Sequence, residues 1–227
     1  MTGPLIFSLP GNEATAEKLG AALSGELGKL ETRRFPDEET YLRFATDPAG
    51  RSVVLVCSLN RPDPKFLRLA FAASAAKELG AARVGLVAPY LAYMRQDKQF
   101  HPGEAVSSVH FARLISVGLD WLATVDPHLH RHKSLDEIFP IPARVGHAAP
   151  LLAGWITSHV QRPLSSVPTQ KASNGYRPWQ SCLTRPTACF AKSDGATARS
   201  RSRFPTSARL PTASRSLSMT SFPLDGR

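Results

Sequence analysis

Four short runs constrain this chain most: Leu5-Ile6-Phe7-Ser8-Leu9, Ser52 to Leu59, Arg83 to Ala88 and Leu122 to Val125. A strand with one wet face alternates apolar and polar residues. Runs without that alternation belong to strands buried on both faces, and such strands occur in parallel sheets covered by helices. The stretches between them have helical spacing. Glu13 to Leu27 places Ala16, Leu19, Ala22 and Leu27 on or near one face. Pro64 to Leu79 begins with a proline at an acceptable early position and is stopped by Gly80. Ser107 to Val117 reads as a helix with Ser107 as its N-cap. Two more strands, Leu30 to Phe35 and Thr40 to Ala45, flank Pro36-Asp37-Glu38-Glu39, and a strand at Ile141 to Val145 precedes a helix at His147 to Val160. Strands alternating with helices over this length specify an α/β fold: a parallel sheet with helices on both faces.

The pattern stops near Leu164. The remaining residues contain twelve Ser, seven Thr, six Pro and no Glu, and sustain neither a strand nor a helix period. The expected organisation is therefore a domain over 1–163 and an irregular or disordered basic tail over 164–227. The formal net charge of +10 is concentrated in that tail, which carries +8. A nearly neutral domain does not point to a nucleic acid partner. The tail has few aromatic residues on which bases could stack, so no nucleic acid binding is expected. Cys57, Cys182 and Cys189 show neither metal-ligand nor disulfide spacing. No apolar run is long enough to span a membrane and the N-terminus has no signal-peptide pattern; a cytoplasmic location with no membrane partner is the expectation.

Open α/β sheets bind ligands in the crevice outside the carboxyl ends of their strands. The stretch Pro89 to Phe100 follows the strand Arg83 to Ala88 and brings Arg95, Gln96, Asp97 and Lys98 together before a helix. Arg95 has the geometry to hold a phosphate with two parallel hydrogen bonds, and an amide or carboxylate beside it could read a base or a ribose. A solvated charged loop is the competing reading. Phe35-Pro36-Asp37-Glu38-Glu39 taken alone reads as a solvated acidic turn. Asp126-Pro127-His128-Leu129-His130 follows a strand and suggests metal or acid–base chemistry. His128 and His130, at i and i+2, are expected to point oppositely in an extended chain and not to share one ion. The chain contains no G-x-x-x-x-G-K-[ST] loop and no G-x-G-x-x-G fingerprint.

Taken in order, Arg34-Phe35-Pro36-Asp37-Glu38-Glu39-Thr40, Pro89-Tyr90, Tyr93-Met94-Arg95-Gln96-Asp97-Lys98, Pro102-Gly103-Glu104 and Val125-Asp126-Pro127-His128 resemble the ribose-phosphate pyrophosphokinases, or phosphoribosyl pyrophosphate synthetases, over residues 1–163. The resemblance implies a phosphoribosyltransferase-like domain in a homo-oligomeric enzyme of nucleotide biosynthesis. That enzyme transfers the diphosphoryl group of ATP to ribose 5-phosphate and releases AMP. It also implies that Phe35, Asp37 and Glu39 line the adenine and ribose pocket, partly from a neighbouring subunit. Arg95, Gln96 and Asp97 would hold ATP, and His128 would help hold Mg²⁺. Such a transfer is mostly positioning and charge neutralisation, so cations matter more than a nucleophile. Mg²⁺ prefers oxygen ligands, and the assignment of His128 rests on the resemblance rather than on that chemistry. The chain also departs from the pattern. Common members have Leu before the histidine and small residues plus Gln after it, where this chain has Pro127 and Leu129-His130-Arg131. That segment borders the regulatory phosphate or ADP site of allosteric members, so their regulation is not expected to carry over.

The resemblance implies a second α/β half with a metal-binding Asp, a loop of catalytic Lys and Arg, and an Asp-Asp loop for ribose 5-phosphate. None of these follows residue 163. Read one nucleotide earlier, the codons of Ser165 to Ala172 permit apolar, apolar, Gly, Pro, Asp, Ala or Ser, Glu, Ser. Those of Cys189 to Ala196 permit Val, Leu, Arg, Lys, Glu, Arg, Arg, Gly, and those of Ser218 to Gly226 permit an Asp-Asp pair. The missing motifs recur in order in one frame, which points to a frameshift near codon 164. The expectation is a chain with no catalytic residues of its own, little or no activity, a largely missing ribose 5-phosphate site and a tendency to aggregate. The alternative is a non-catalytic partner subunit of a full-length homologue.

Overall fold

In the computed structural model the described residues are 3–160, together with the backbone of two short strands beyond them. The strands alternate with helices in the expected order. Strand β1 (Leu5–Ser8) leads to helix α1 (Glu13–Leu23), edge strand β2 (Glu26–Leu27), a hairpin of β3 (Leu30–Arg34) and β4 (Thr40–Phe44), and strand β5 (Ser52–Val56). Helix α2 (Asp63–Glu78), β6 (Arg83–Ala88), α3 (Ser107–Ile115), β7 (Trp121–Val125), a 3₁₀ turn at Leu135–Glu137, β8 (Ala143–Gly146) and α4 (Ala148–His159) follow. Further on, β9 (Ser166–Val167) pairs in parallel with β10 (Ala188–Cys189). Apart from that pairing, the expected tail and its shifted reading frame lie outside the described residues.

Six strands form one sheet in the order β2-β1-β5-β6-β7-β8, and every pair in it is parallel. Val53, Val54, Leu55 and Val56 of β5 are all buried, because each face of the sheet is covered. On one face Leu5, Phe7, Val53, Leu55, Leu86 and Leu122 pack with residues of α2 and α3. On the other, Ile6, Val54 and Val56 meet Ala16 and Leu19 of α1, with Val87 and Trp121 alongside. The β3–β4 hairpin is a separate antiparallel sheet. Phe44 anchors it, edge-on to Phe7 at 4.8 Å between ring centres.

Several boundaries differ from the sequence reading for local reasons. Helix α1 ends at Leu23 rather than Leu27 because Ser24 turns left-handed (φ 50°) and the Gly25 N–H closes onto the Gly20 carbonyl at 2.9 Å. Leu27 then pairs with Ile6 at the sheet edge. Strand β8 starts after Pro142, whose carbonyl still accepts the Leu122 N–H at 3.0 Å. Gly80 does stop α2. With φ at 86° it lets its own N–H reach the Lys77 carbonyl and the Ala81 N–H reach that of Ala76, both at 2.9 Å. Ser107 is not an N-cap: Val106 occupies that position without a side-chain bond, and Ser107 is the first helical residue. A free N–H at the start of α3 is satisfied instead by the loop ahead of it, Ser108 N–H to the Gln96 carbonyl at 3.2 Å.

Candidate functional site

The carboxyl ends of β6 and β7 are adjacent, Ala88 being paired with Thr124. The loops that leave them therefore diverge from one point. Between them lies an open cleft of about 740 Å³, lined by Tyr90, Leu91, Tyr93, Met94, Arg95 and Gln96 from the first loop and by Val125 to His130 from the second. That volume falls within the few hundred to about 1,000 Å³ typical of small-molecule sites.

The first loop is pinned along its length. Leu91, Ala92 and Met94 are buried while Tyr93 and Arg95 are exposed. The Leu59 N–H donates to the Tyr90 carbonyl at 2.9 Å, which ties the loop's start to the segment that follows β5. Tyr93 sits in the left-handed region (φ 60°), where a residue with a side chain is uncommon. Its ring lies 4.8 Å from that of Phe111, and its hydroxyl donates to the Asp63 carboxylate at the start of α2. That hydrogen bond, with smaller contributions from desolvation and the Asp63 charge, raises the Tyr93 pKa above its ordinary value. Further on, the chain wraps around Glu104. Its carboxylate accepts the N–H groups of Phe100 (2.8 Å) and His101 (3.1 Å) and the Gln96 amide (3.2 Å). The two backbone bonds hold Glu104 below its ordinary value, outweighing desolvation, and the Gln96 bond adds a smaller effect in the same direction.

Arg95 is exposed at the cleft, and no salt bridge among the described residues involves it. Gln96 is half-buried beside it. Asp97 does not share their setting. Its side chain is 1% exposed and one oxygen accepts a hydrogen bond from the Arg131 guanidinium at 2.6 Å. It does not line the cleft. A direct contact between Asp97 and a ligand there has no support in this geometry.

The second loop corrects one expectation. His128 and His130 do not point apart: their rings stack with centres 6.0 Å apart and planes 30° apart, and both line the cleft. The expectation misapplied strand alternation, which separates i from i+1 and puts i and i+2 on one face. Asp126, at φ 42°, leads into irregular backbone, and the two rings still lie on one side of it. Asp126 faces α4, accepting the Ala148 N–H at 3.1 Å and lying 3.1 Å from the His147 ring nitrogen. Among the described residues no group of three or more His, Cys, Asp or Glu side chains is placed to hold a metal ion. Among the described residues His128 and its neighbours therefore offer no complete set of ligands for a metal ion.

Phe35, Asp37 and Glu39 lie elsewhere. The turn joining β3 to β4 closes through Phe35 N–H to the Glu39 carbonyl and Glu38 N–H to the Phe35 carbonyl, both 2.9 Å, with Glu38 left-handed at φ 70°. The Arg33 guanidinium lies 4.6 Å from the Phe35 ring centre and 4.3 Å from that of Tyr41, which stiffens the hairpin. The carboxylates of Asp37 and Glu39 are exposed and none of the three residues lines the cleft. The sequence reading missed the Tyr93–Asp63 and Arg131–Asp97 pairs. Both join residues 30 or more positions apart, and neither leaves a local pattern.

Comparison with known proteins places this architecture. The family model for the N-terminal domain of ribose phosphate pyrophosphokinase matches residues 4–118. That span holds the Phe35–Glu39 turn and the Arg95 loop but stops short of His128 and Arg131. A ribose-phosphate pyrophosphokinase of Methanobrevibacter smithii is 33% identical over 170 residues, 74% of this chain and 56% of that protein. One of Methanosarcina mazei is 35% identical over 168 residues, 74% of this chain and 54% of that protein. The chain thus spans about half the length of the curated relatives it matches. A solved phosphoribosylpyrophosphate synthetase from Mycobacterium smegmatis superposes with a TM-score of 0.74 over 85% of this chain and 65% of that chain, at 23% identity, and so shares the fold. The chain belongs to the ribose-phosphate pyrophosphokinase family.

Proposed function

We propose that the cleft between β6 and β7 is the nucleotide-holding side of a ribose-phosphate diphosphokinase site. In the complete reaction, the diphosphoryl group of ATP passes to ribose 5-phosphate, giving phosphoribosyl pyrophosphate and AMP for nucleotide biosynthesis. The observation that carries this reading is the meeting of the Arg95-Gln96 loop and the His128 loop at the carboxyl ends of adjacent parallel strands, around one cleft. Arg95, exposed and without an ion-pair partner among the described residues, would take a phosphate, and Gln96 would orient the nucleotide. Mg²⁺ would arrive on the phosphates of ATP, which supply the oxygens this donor set lacks, with His128 as a ligand at most. Its role there would be to neutralise phosphate charge.

Phe35, Asp37 and Glu39 would serve the nucleotide from a neighbouring copy of the chain, which fits their exposure on a stiffened hairpin away from the cleft of their own subunit. Leu67 and Phe71 on α2, Leu114 on α3 and Val117 just beyond it are also exposed. Apolar surface of this kind marks association sites, and a homo-oligomer is the assembly proposed for it. Leu151, Leu152 and Trp155 leave a further apolar face on α4.

The 227-residue chain as written is proposed to bind ATP without turning it over, because residues 164–227 carry none of the motifs the second half would supply and read as a shifted frame. Calorimetric titration with MgATP and an assay of AMP formation from ATP and ribose 5-phosphate test both parts. Binding without AMP is the expected result. Absence of ATP binding overturns the nucleotide site, and AMP formation overturns the inactivity. Resequencing around codon 164 tests the frameshift. The alternative, a non-catalytic subunit, predicts co-purification with an active full-length homologue.

A further inference from the structure

Arg131 lies outside the cleft lining, yet it joins the two loops that form it. Its guanidinium donates to Asp97 Oδ1 at 2.6 Å across 34 residues of sequence. The Asp97 side chain is 1% exposed against 38% for Arg131, so the carboxylate is enclosed and the guanidinium reaches in from the surface. The other Asp97 oxygen has no hydrogen-bond partner among the described residues. One donor therefore holds an enclosed carboxylate in place. The Arg131 guanidinium also lies 5.5 Å from the centre of the Phe100 ring, on the segment that wraps Glu104. Asp97 follows Arg95 and Gln96 directly, and Arg131 follows His130.

We infer that Arg131 is a positioning residue: by clasping Asp97 it fixes the Arg95-Gln96 loop against the His128-His130 loop and sets the width of the cleft. The inference builds on the nucleotide reading above and assigns Asp97 a role behind the site rather than in it. A carboxylate enclosed without its counter-ion is strongly disfavoured. Without Arg131, Asp97 turns toward water and draws the adjoining Gln96 and Arg95 with it. A displacement of about 1 Å in a positioning group can cost on the order of 100-fold in function.

The test uses the whole chain and two independent readings. Amide hydrogen exchange over Met94 to His101 follows the loop itself, and MgATP titration follows the site. Arg131→Ala is expected to speed exchange in that segment at least tenfold, with β1, β5 and α1 unchanged, and to weaken ATP binding roughly 10- to 100-fold. Arg131→Lys keeps the charge and is expected to restore part of both. Asp97→Asn combined with Arg131→Ala is expected to weaken binding no further than Arg131→Ala alone, because both changes open one clasp. Unchanged exchange across Met94 to His101 in Arg131→Ala overturns the inference. So does additivity in the double variant, which would mean that Arg131 meets the nucleotide directly. If the parent chain binds no ATP, the nucleotide reading fails by itself, and the exchange comparison still decides whether Arg131 holds the loop.

Discussion

Gly85 is the position where one added methyl group should disturb the site from a distance. It pairs with Trp121 across β6 and β7, and the indole lies over it. A Cβ built at Gly85 would stand 1.8 Å from Trp121 Cε2, 2.1 Å from Cζ2 and 2.4 Å from Cδ2. These distances are far inside van der Waals contact and involve a rigid ring rather than the end of a flexible chain. Gly85→Ala must push the indole aside or part the two strands. Overpacking of this kind costs about 1–3 kcal/mol, while the stiffer unfolded chain returns about 0.4–1 kcal/mol. A net loss of about 0.5–2 kcal/mol is expected, at roughly 2–4 °C per kcal/mol for a chain of this size. Thermal melts and urea titrations measure it, the urea midpoint falling with its slope unchanged. Trp121→Leu should remove the clash, so the double variant should lose less than the sum of the single losses by at least about 0.5 kcal/mol. Because β6 and β7 carry the Arg95 and His128 loops at their ends, ATP affinity should fall in Gly85→Ala and recover in the pair. A Gly85→Ala chain as stable as the parent, or strictly additive losses, would refute the reasoning.

Two further outcomes follow from titrating groups away from the cleft. Burial pushes the Asp120 carboxyl upward, but hydrogen bonds from Lys77 and the Val84 N–H and the charges of Lys77 and Arg83 outweigh it, leaving the pKa below the ordinary value for an Asp. A pKa depressed on folding contributes stability that is present above the unfolded value and is lost as pH falls through the folded one. The gap in melting temperature between the parent and Asp120→Asn should therefore be flat from pH 7 to about pH 5 and close as the pH falls below about 4, the unfolded range for Asp. The pair is about a third exposed, so the stability behind that gap should not exceed about 1 kcal/mol; a gap that widens on acidification would contradict the assignment. Cys57 is buried, and burial, opposed by the weaker fields of Lys65 and Arg68, lifts its pKa to about 11. A thiol reagent at neutral pH should leave the Cys57 peptide unmodified in the native chain and modify it in denaturant, as peptide mass spectrometry would show. Equal rates in both states would show that the core opens.

What could be read from the sequence was whatever burial writes into local composition. Ser52 to Val56 and Arg83 to Ala88 are apolar without alternation because helices cover both sheet faces, so the parallel α/β fold could be recognised before any contact was known. Edge strand β2 left no such mark: Glu26 and Leu27 are both exposed, and two residues pairing at an edge bury too little to shape the sequence. The start of α3 misled for a different reason. Ser107 looks like a cap by type, but a backbone carbonyl of the preceding loop already serves the first turn. Local propensity could not register that long-range partner.

The candidate site divides along the same line. Arg95 and Gln96 were readable because a polar cluster after a buried strand has few places to go. Asp97, next to them and of similar polarity, was grouped with them and lies in a different environment. Its partner there is Arg131, on a loop whose position is set by the β6–β7 pairing rather than by nearby sequence. His128 and His130 were expected apart, yet alternation along a strand puts i and i+2 on one face, and their rings stack even though Asp126 turns the chain out of the extended form. The Arg131–Asp97 contact runs between the ends of neighbouring strands, whereas the histidine pair forms within one loop. Residue types at the ends of parallel strands can therefore suggest a ligand site, while the division between groups that meet a ligand and groups that hold them follows from strand order. On that division Arg95 belongs to the cleft and Asp97 to its support, and exchange of the first with Lys should weaken phosphate binding without loosening the loop, whereas loss of the second should do both.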